Sequence, residues 1–333
     1  MKRFMDLADF ERDEVVDLLA LAQRLKDHPQ RDALSGKVLG LLFLNPSLRT
    51  LASFQAAMSR LGGSSFVITP GQGTWNVELK DGGVMDGAAA EHVREAIPVL
   101  ASYCDALGIR AFAAGRSLAD DLGEKQYKLM SSLCDKPLVN LESAANHPCQ
   151  ALADWKTLDD LGVPRHGRFV LSWVNHPRAL PLAVPAATVH MAAQRGMDVV
   201  VLRPEGFALP DAVMEQAGRA AAASGGSVTE TSERDTALAG AHVLYAKEWG
   251  SPIHYGDGEA EAELRRGLAD WCVTEPWFRT AQQDCHLMHC LPVRRNVAVA
   301  DHVLDGRRSR VVAGAANRMT VQMAVLHRML ATS

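Results

Sequence analysis

Short apolar runs that end in a turn and give way to a helix-spaced stretch recur along the chain, and this alternation constrains the fold more than any other feature. In the first half, strands are expected at Val38–Leu44, Ser65–Thr69, Ala106–Arg110 and Pro137–Leu141. Helices are expected over 9–27, from Ser47 to Leu61, and over about 89–103 and 120–134. A second series of strands follows at Arg168–Trp173, Asp198–Leu202, Ser227–Thr231, Ala241–Ala246 and Cys285–His289. Strands separated by helices are joined in parallel. The expected fold is therefore α/β: two doubly wound parallel-sheet domains, 1–145 and 146–315, with a cleft between them. An amphipathic stretch, 316–333, is expected to pack back on the first domain.

Ligands of such sheets sit at the carboxyl ends of the strands. The polar residues gather there: Ser47, Arg49, Arg110 and Glu142 in the first series, and His176, Lys247, His289 and Cys290 in the second. The first strand runs through Leu41-Leu42-Phe43-Leu44 into Asn45-Pro46, and Ser47 is placed to cap the next helix. The first turn of that helix offers unpaired N–H groups, the positive end of the helix dipole, two hydroxyls and the Arg49 guanidinium. Those are the parts of an anion site. Taken alone, the run is equally a plain N-cap with an incidental arginine.

Bulk properties narrow the function. A chain of 333 residues with 47% apolar and 22% charged residues is a globular protein of ordinary composition. A net charge of −4 supplies no general attraction for nucleic acid or anionic membrane, so any anion site is local. The six cysteines form no CxxC pair and no disulfide-framework spacing. Neither a signal core nor an apolar run of membrane-spanning length occurs, so a reduced, cytoplasmic setting is expected. No nucleotide-phosphate loop, dinucleotide fingerprint, HExxH or GxSxG is found. His286, His289 and Cys290 alternate along one strand without a matching ligand pair, so neither a metal nor an organic cofactor is expected.

Ser47-Leu48-Arg49-Thr50, His147-Pro148-Cys149-Gln150 and His289-Cys290-Leu291-Pro292, in that order, resemble the aspartate/ornithine carbamoyltransferase family over essentially the whole chain. The resemblance implies a homotrimer that carbamoylates an amine from carbamoyl phosphate. Ser47, Leu48, Arg49, Thr50, Arg110, His147, Gln150, Leu291 and Arg318 would hold that donor, with Trp75 reaching in from a neighbouring subunit. Arg110, His147 and Cys290 would take part in catalysis.

Within the family, the stretches around Trp75, Glu91-His92, Trp173 to Arg178, and Tyr245 to Gly250 look closest to the branch acting on N-acylated ornithine. Glu142, His176, Lys247, Cys290 and Arg294 are the expected acceptor residues, with Ala90 and Arg178 near the acyl group. A free α-ammonium would be repelled by Lys247, whereas an acylated nitrogen would not. The acetyl branch carries glutamate before Glu-His and the succinyl branch proline. Ala90 there removes a carboxylate that would repel a succinyl tail, so N-succinylornithine is favoured over N-acetylornithine.

The chain departs from the family pattern at Leu51, where a second arginine is usual, at Gly314, where an acid is usual, and at Ala186-Ala187, where a polar pair is expected. A carbamoyltransferase for another amine, or a non-catalytic phosphate-binding relative, remains compatible with those departures. The intact Ser47, Arg49, Thr50, Arg110, His147, Gln150 and Cys290 argue against the non-catalytic reading.

Overall fold

The structure is a computed structural model and describes residues 1–331. It divides into two compact units. One comprises Met1–Ala114, Ala119–Cys149 and the chain from Arg318 onward; the other comprises Gly115–Leu118 and Gln150–Asn317. Residues 332 and 333, the end of the expected closing stretch, lie outside the described residues.

The first unit is built from β1 (Arg3–Phe4), α1 (Arg12–Asp27), β2 (Val38–Phe43), α2 (Leu48–Arg60), β3 (Ser64–Ile68), a small ribbon of β4 (Val77–Glu78) and β5 (Glu91–His92), α3 (Val93–Ser102) and β6 (Ala106–Arg110). It continues through α4 (Leu118–Leu122), which starts in the other unit, α5 (Lys125–Ser132), β7 (Leu138–Glu142) and the start of α6 (Pro148–Asp160). The main sheet has the order β1-β7-β6-β2-β3 and is parallel throughout. Its strands are apolar and buried, with Leu39, Leu41, Leu107, Ile109, Leu138 and Val139 excluded from solvent, as a parallel sheet covered by helices requires.

The outcome differs from the sequence expectation in four places. A two-residue edge strand, β1, pairs Arg3 and Phe4 with Leu138 and Val139; it is too short to carry a period. The helix expected from about residue 89 starts at Val93, because Glu91 and His92 pair with Val77 and Glu78 and the His92 ring caps the helix by accepting the Arg94 N–H at 3.1 Å. The helix expected over 120–134 breaks into α4 and α5 at Glu124, which is left-handed at φ +51°. The Glu124 carboxylate accepts the Ala145 N–H at 3.0 Å, which fixes the loop after β7. The closing helix begins five residues earlier than expected, at Val311.

The second unit holds the rest of α6, then β8 (Arg168–Trp173), α7 (Ala183–Arg195), β9 (Asp198–Leu202), α8 (Asp211–Ser224), β10 (Ser227–Thr231), α9 (Arg234–Leu238), β11 (Val243–Lys247), α10 (Gly258–Arg266), β12 (His286–Met288), α11 (Asp301–Leu304) and the first part of α12 (Val311–Leu330). Its parallel sheet has the order β10-β9-β8-β11-β12. Every residue of α7 is buried, including Ala186 and Ala187. The small side chains there let the helix lie close to its neighbours.

In both sheets the strand order reverses once: between β2 and β6 in the first unit, and between β8 and β11 in the second. Chains leaving two such strands part to opposite faces and open a crevice at the carboxyl edge.

Candidate active-site residues in the two units

At the first reversal point, β2 ends at Phe43 and β6 at Arg110, and the two loops are stitched together. The Leu44 N–H donates to the Arg110 carbonyl at 2.9 Å, and the Phe112 N–H donates to Asn45 Oδ1 at 2.7 Å. Ser47 caps α2 in extended conformation, its Oγ accepting the Thr50 N–H at 3.2 Å. The Leu48 side chain is 81% exposed, so only its backbone belongs to the anion-binding turn.

Thr50 is fully buried, and its Oγ1 accepts a hydrogen bond from Arg318 Nη2 at 2.7 Å, across 268 residues of chain. Arg318 is 2% exposed, so a guanidinium from α12 is locked onto the first turn of α2.

Arg110 is aimed by an irregularity in the sheet. Ile109 pairs with Asn140, but Arg110 pairs with Glu142, so the register slips by one residue at the strand end. The slip sets the Arg110 guanidinium on the Glu142 carboxylate, and both are buried. The guanidinium also lies 4.5 Å from the centre of the Phe112 ring. His147, at the entry to α6, places Nε2 3.4 Å from the same carboxylate.

Burial lowers the His147 pKa well below the ordinary histidine value, and the charges of Arg318, Arg110 and Arg49 lower it further. The ring is neutral. His147 Nδ1 and Arg110 Nε are buried and lack a hydrogen-bond partner. Both atoms are open to a hydrogen bond with a ligand or water. Three guanidiniums against one carboxylate leave this cluster with two positive charges, beside a helix N-terminus.

Glu142 was expected on the acceptor side. It ends β7 in the first unit, as the domain boundary at 145 implied, and its carboxylate is engaged by Arg110. Trp75, just before β4, is 61% exposed and donates from Nε1 to Glu91 at 2.8 Å; Ala90 lies on the exposed loop between β4 and β5, and neither is gathered with Arg110.

In the second unit, the reversal point brings together His176, from the loop after β8, and Lys247, at the end of β11. Arg294 donates from Nε to His176 Nε2 at 3.0 Å, and His176 Nδ1 meets the Arg178 backbone, with its carbonyl at 2.9 Å and its N–H donor at 3.1 Å. Burial lowers the pKa of this histidine too. The Arg178 side chain is exposed, and only its backbone brackets His176.

Lys247 is 5% exposed, donates to the Glu248 carbonyl at 2.8 Å, and lies 3.4 Å from the Glu248 carboxylate. Its charge is therefore offset, which weakens the expectation that it repels an α-ammonium. Burial opposes ionisation of Glu248, yet Lys247 and His289 hold its carboxyl well below the usual range.

The other Glu248 oxygen is 3.2 Å from His289 Nε2. On the opposite side of the ring, Nδ1 accepts the Leu291 N–H at 2.8 Å. Burial lowers the His289 pKa, whereas Cys290 and Glu248 raise it, to about 9. The accepted Leu291 N–H nevertheless leaves Nδ1 unprotonated in this conformation, so the proton drawn toward Glu248 is the one on Nε2. Leu291 is left-handed at φ +58°, a conformation a branched residue adopts only when its surroundings impose it. That fixes where its carbonyl points. Cys290 is 8% exposed beside it.

Several supporting residues carried no sequence signal. Arg265 is buried and donates to the His176 carbonyl at 3.1 Å and the Trp249 carbonyl at 2.8 Å, with Glu261 completing its shell. It clamps the loops after β8 and β11. The Glu261–Arg265 spacing was visible, but four-residue ion pairs are common on exposed helices. Gln150 donates to Asp154, and Asp154 accepts from Tyr245. No cluster of three or more potential metal ligands occurs among the described residues.

Both units match known proteins. Residues 2–160 match the model of the aspartate/ornithine carbamoyltransferase carbamoyl-P binding domain, and residues 184–329 match that of the Asp/Orn binding domain. The chain is 36% identical over 330 residues to an N-acetylornithine carbamoyltransferase of Xanthomonas campestris pv. campestris, covering 98% of this chain and 97% of that one. It is 33% identical over 294 residues to an N-succinylornithine carbamoyltransferase of Bacteroides thetaiotaomicron, covering 88% and 87%. Among solved structures, a variant of N-acetyl-L-ornithine transcarbamylase is similar with a TM-score of 0.94 and 35% identity, covering 99% of this chain and 100% of that one. In it one glutamate is replaced by alanine, and it is complexed with carbamyl phosphate and N-succinyl-L-norvaline. With both domains matched in order over nearly its full length, the chain belongs to the aspartate/ornithine carbamoyltransferase family.

Proposed function

We propose that the protein transfers the carbamoyl group of carbamoyl phosphate to the side-chain amine of an N-acyl-L-ornithine, releasing phosphate and forming N-acyl-L-citrulline, a step of arginine biosynthesis. The observation that carries this reading is the cluster of buried Arg110, Arg318 and neutral His147, with half-buried Arg49 beside them, at the first turn of α2. Its excess of two positive charges suits a phosphate dianion. Relatives named for N-acylornithine substrates support the choice of acceptor. On this reading the first unit binds carbamoyl phosphate and the second binds the N-acylornithine.

In the mechanism, Ser47, Arg49, Thr50, the α2 N-terminus and Arg318 hold the phosphate. Arg110 and His147 donate to the carbonyl oxygen, on which charge builds as the amine attacks. Each such fixed donor contributes about 2.7–4 kcal/mol of barrier lowering. Gln150 accepts from the carbamoyl NH₂.

The amine must be neutral to attack, against an ordinary pKa of about 10. The Leu291 carbonyl and Cys290 receive its N–H groups, and the departing phosphate takes the released proton as the C–O bond breaks. Lys247, His176 and Arg294 face the acceptor's α-carboxylate. No metal or cofactor enters. We place the enzyme in the cytoplasm as a homotrimer, with the exposed Trp75 loop covering a neighbouring copy's site.

For the acyl group we propose succinate. Ala90 removes a negative charge from the loop, and the alanine variant described above is complexed with a succinylated ligand. Acetate is the second reading, favoured by the higher identity to an acetyl-named relative.

The test is steady-state kinetics of the purified protein with N-succinyl-L-ornithine, N-acetyl-L-ornithine and L-ornithine, scored by citrulline-type product. A higher kcat/KM for the succinylated amine supports the proposal, and a preference for acetyl overturns the acyl assignment. Binding of carbamoyl phosphate without turnover of any amine would overturn the enzymatic reading.

A further inference from the structure

We infer that Asp154, backed by Tyr245, is a positioning residue that fixes which way round the Gln150 amide meets its ligand. The inference rests on the reading in which Gln150 faces the carbamoyl amino group.

Gln150 lies in the first turn of α6, and Asp154 is four residues on, on the same face of the helix. Gln150 Nε2 donates to Asp154 Oδ1 at 3.0 Å, and the Tyr245 hydroxyl donates to Asp154 Oδ2 at 2.9 Å. All three side chains are buried, with Asp154 1% exposed.

An amide side chain is ambidextrous: one end donates, the other accepts, and the two ends have nearly the same shape. Both carboxyl oxygens of Asp154 accept here, one from Gln150 and one from Tyr245. Facing Asp154, the amide must therefore present its NH₂, and its oxygen is turned the opposite way. Reversing it would set a carbonyl oxygen against an oxygen of the carboxyl group in a medium of low dielectric.

Tyr245 holds the Asp154 carboxyl in place. Burial and the adjacent Asp154 raise the phenol's pKa well above its ordinary value, so it stays a hydrogen-bond donor. It sits on β11 two residues before Lys247, so it faces the same side of the sheet as that residue.

The consequence is chemical selectivity. An amide oxygen held outward accepts from a carbamoyl NH₂ and offers nothing to a methyl group. If Asp154 were only a packing tie between α6 and β11, its loss would weaken every ligand of the site alike.

The experiment is isothermal titration calorimetry of the full-length protein with two stable, isosteric ligands. Phosphonoacetamide carries the NH₂, and acetonylphosphonate carries a methyl group in its place. Wild type is expected to prefer the amide. Asp154→Leu should lose about tenfold in affinity for the amide and little for the ketone, collapsing the ratio.

Asp154→Asn, which retains an acceptor oxygen, should recover most of the ratio, and Tyr245→Phe should reduce it by about threefold. Tyr245→Phe removes a single buried oxygen and carries the test should Asp154→Leu fail to fold. Equal weakening of both ligands, or a ratio unchanged in Asp154→Leu and Tyr245→Phe, overturns the positioning role. A wild-type protein with no preference for the amide refutes the reading of Gln150 itself, which is a separate result.

Discussion

Replacing Arg110 with methionine tests the geometry of the first unit most directly. Methionine keeps an unbranched stem against Phe112 but removes the guanidinium that sits on Glu142. Glu142 is 8% exposed and its other close neighbour, His147, is neutral, so the variant leaves a buried carboxylate without its main partner. Such a loss costs about 3–5 kcal/mol. Arg318, whose charge also acts on Glu142, keeps the cost toward the lower end.

The carboxyl escapes by holding its proton in the folded variant. Its folded pKa then lies above the unfolded value of about 4.3, so stability is intact below that pH and is lost as pH rises, by about 1.4 kcal/mol per unit. The loss levels off where the full cost of the buried charge is reached, between about pH 6.5 and 8.

Urea midpoints of wild type, Arg110→Met, Glu142→Gln and the double variant at pH 5, 6, 7 and 8 give the curve and the coupling energy. The single arginine variant should approach wild type at pH 5 and fall behind at pH 8, and the double variant should regain much of that loss. A stability difference that does not change with pH, or a double variant no more stable than Arg110→Met at pH 8, would refute the argument. Turnover should vanish in Arg110→Met at every pH.

Three further outcomes are expected. The folded pKa of His147 lies below its ordinary value, so the unfolded chain takes up the proton first. Acidification from pH 7 to 5.5 should therefore cost wild type up to about 1.4 kcal/mol more than His147→Asn, read as urea midpoints; equal slopes would contradict a neutral buried ring. Thr50→Val strands Arg318 Nη2 and should lower stability by about 1–3 kcal/mol while raising the KM for carbamoyl phosphate, and unchanged thermal melting and KM would speak against the contact. Ala90→Glu should move the ratio of kcat/KM for succinylated over acetylated ornithine toward acetyl by at least about tenfold, and an unmoved ratio removes Ala90 from acyl selection.

Both sheets and most helices were legible in the chain because buried parallel strands leave continuous apolar runs that no other element of that length produces. The candidate residues at strand ends followed from the same pattern, since a doubly wound sheet exposes those ends to ligand. What sequence could not convey was pairing. Nothing local to Arg110 announces the register slip that sets it against Glu142, and Lys247 reads as a free cation until Glu248 is seen beside it. Glu124 looked like an ordinary helical residue because its left-handed backbone is imposed by tertiary contacts. Arg265 and Asp154 were silent for the same reason: their partners lie 89 and 91 residues away.

The contact between Arg318 and Thr50 has a consequence for the order in which the molecule is assembled. The first unit is interrupted in sequence by the second, and the residue that completes its anion cluster is made 268 residues after the threonine it grips. At about 5–20 residues per second, a nascent chain waits about 13–54 s between the two. Over that interval Gln150–Asn317 emerges as an uninterrupted block, free to condense by itself, while the earlier segment stands with Thr50 uncovered. A chaperone acting on this protein during synthesis would therefore find its client in the amino-terminal part of the chain, which was made first and finishes folding last.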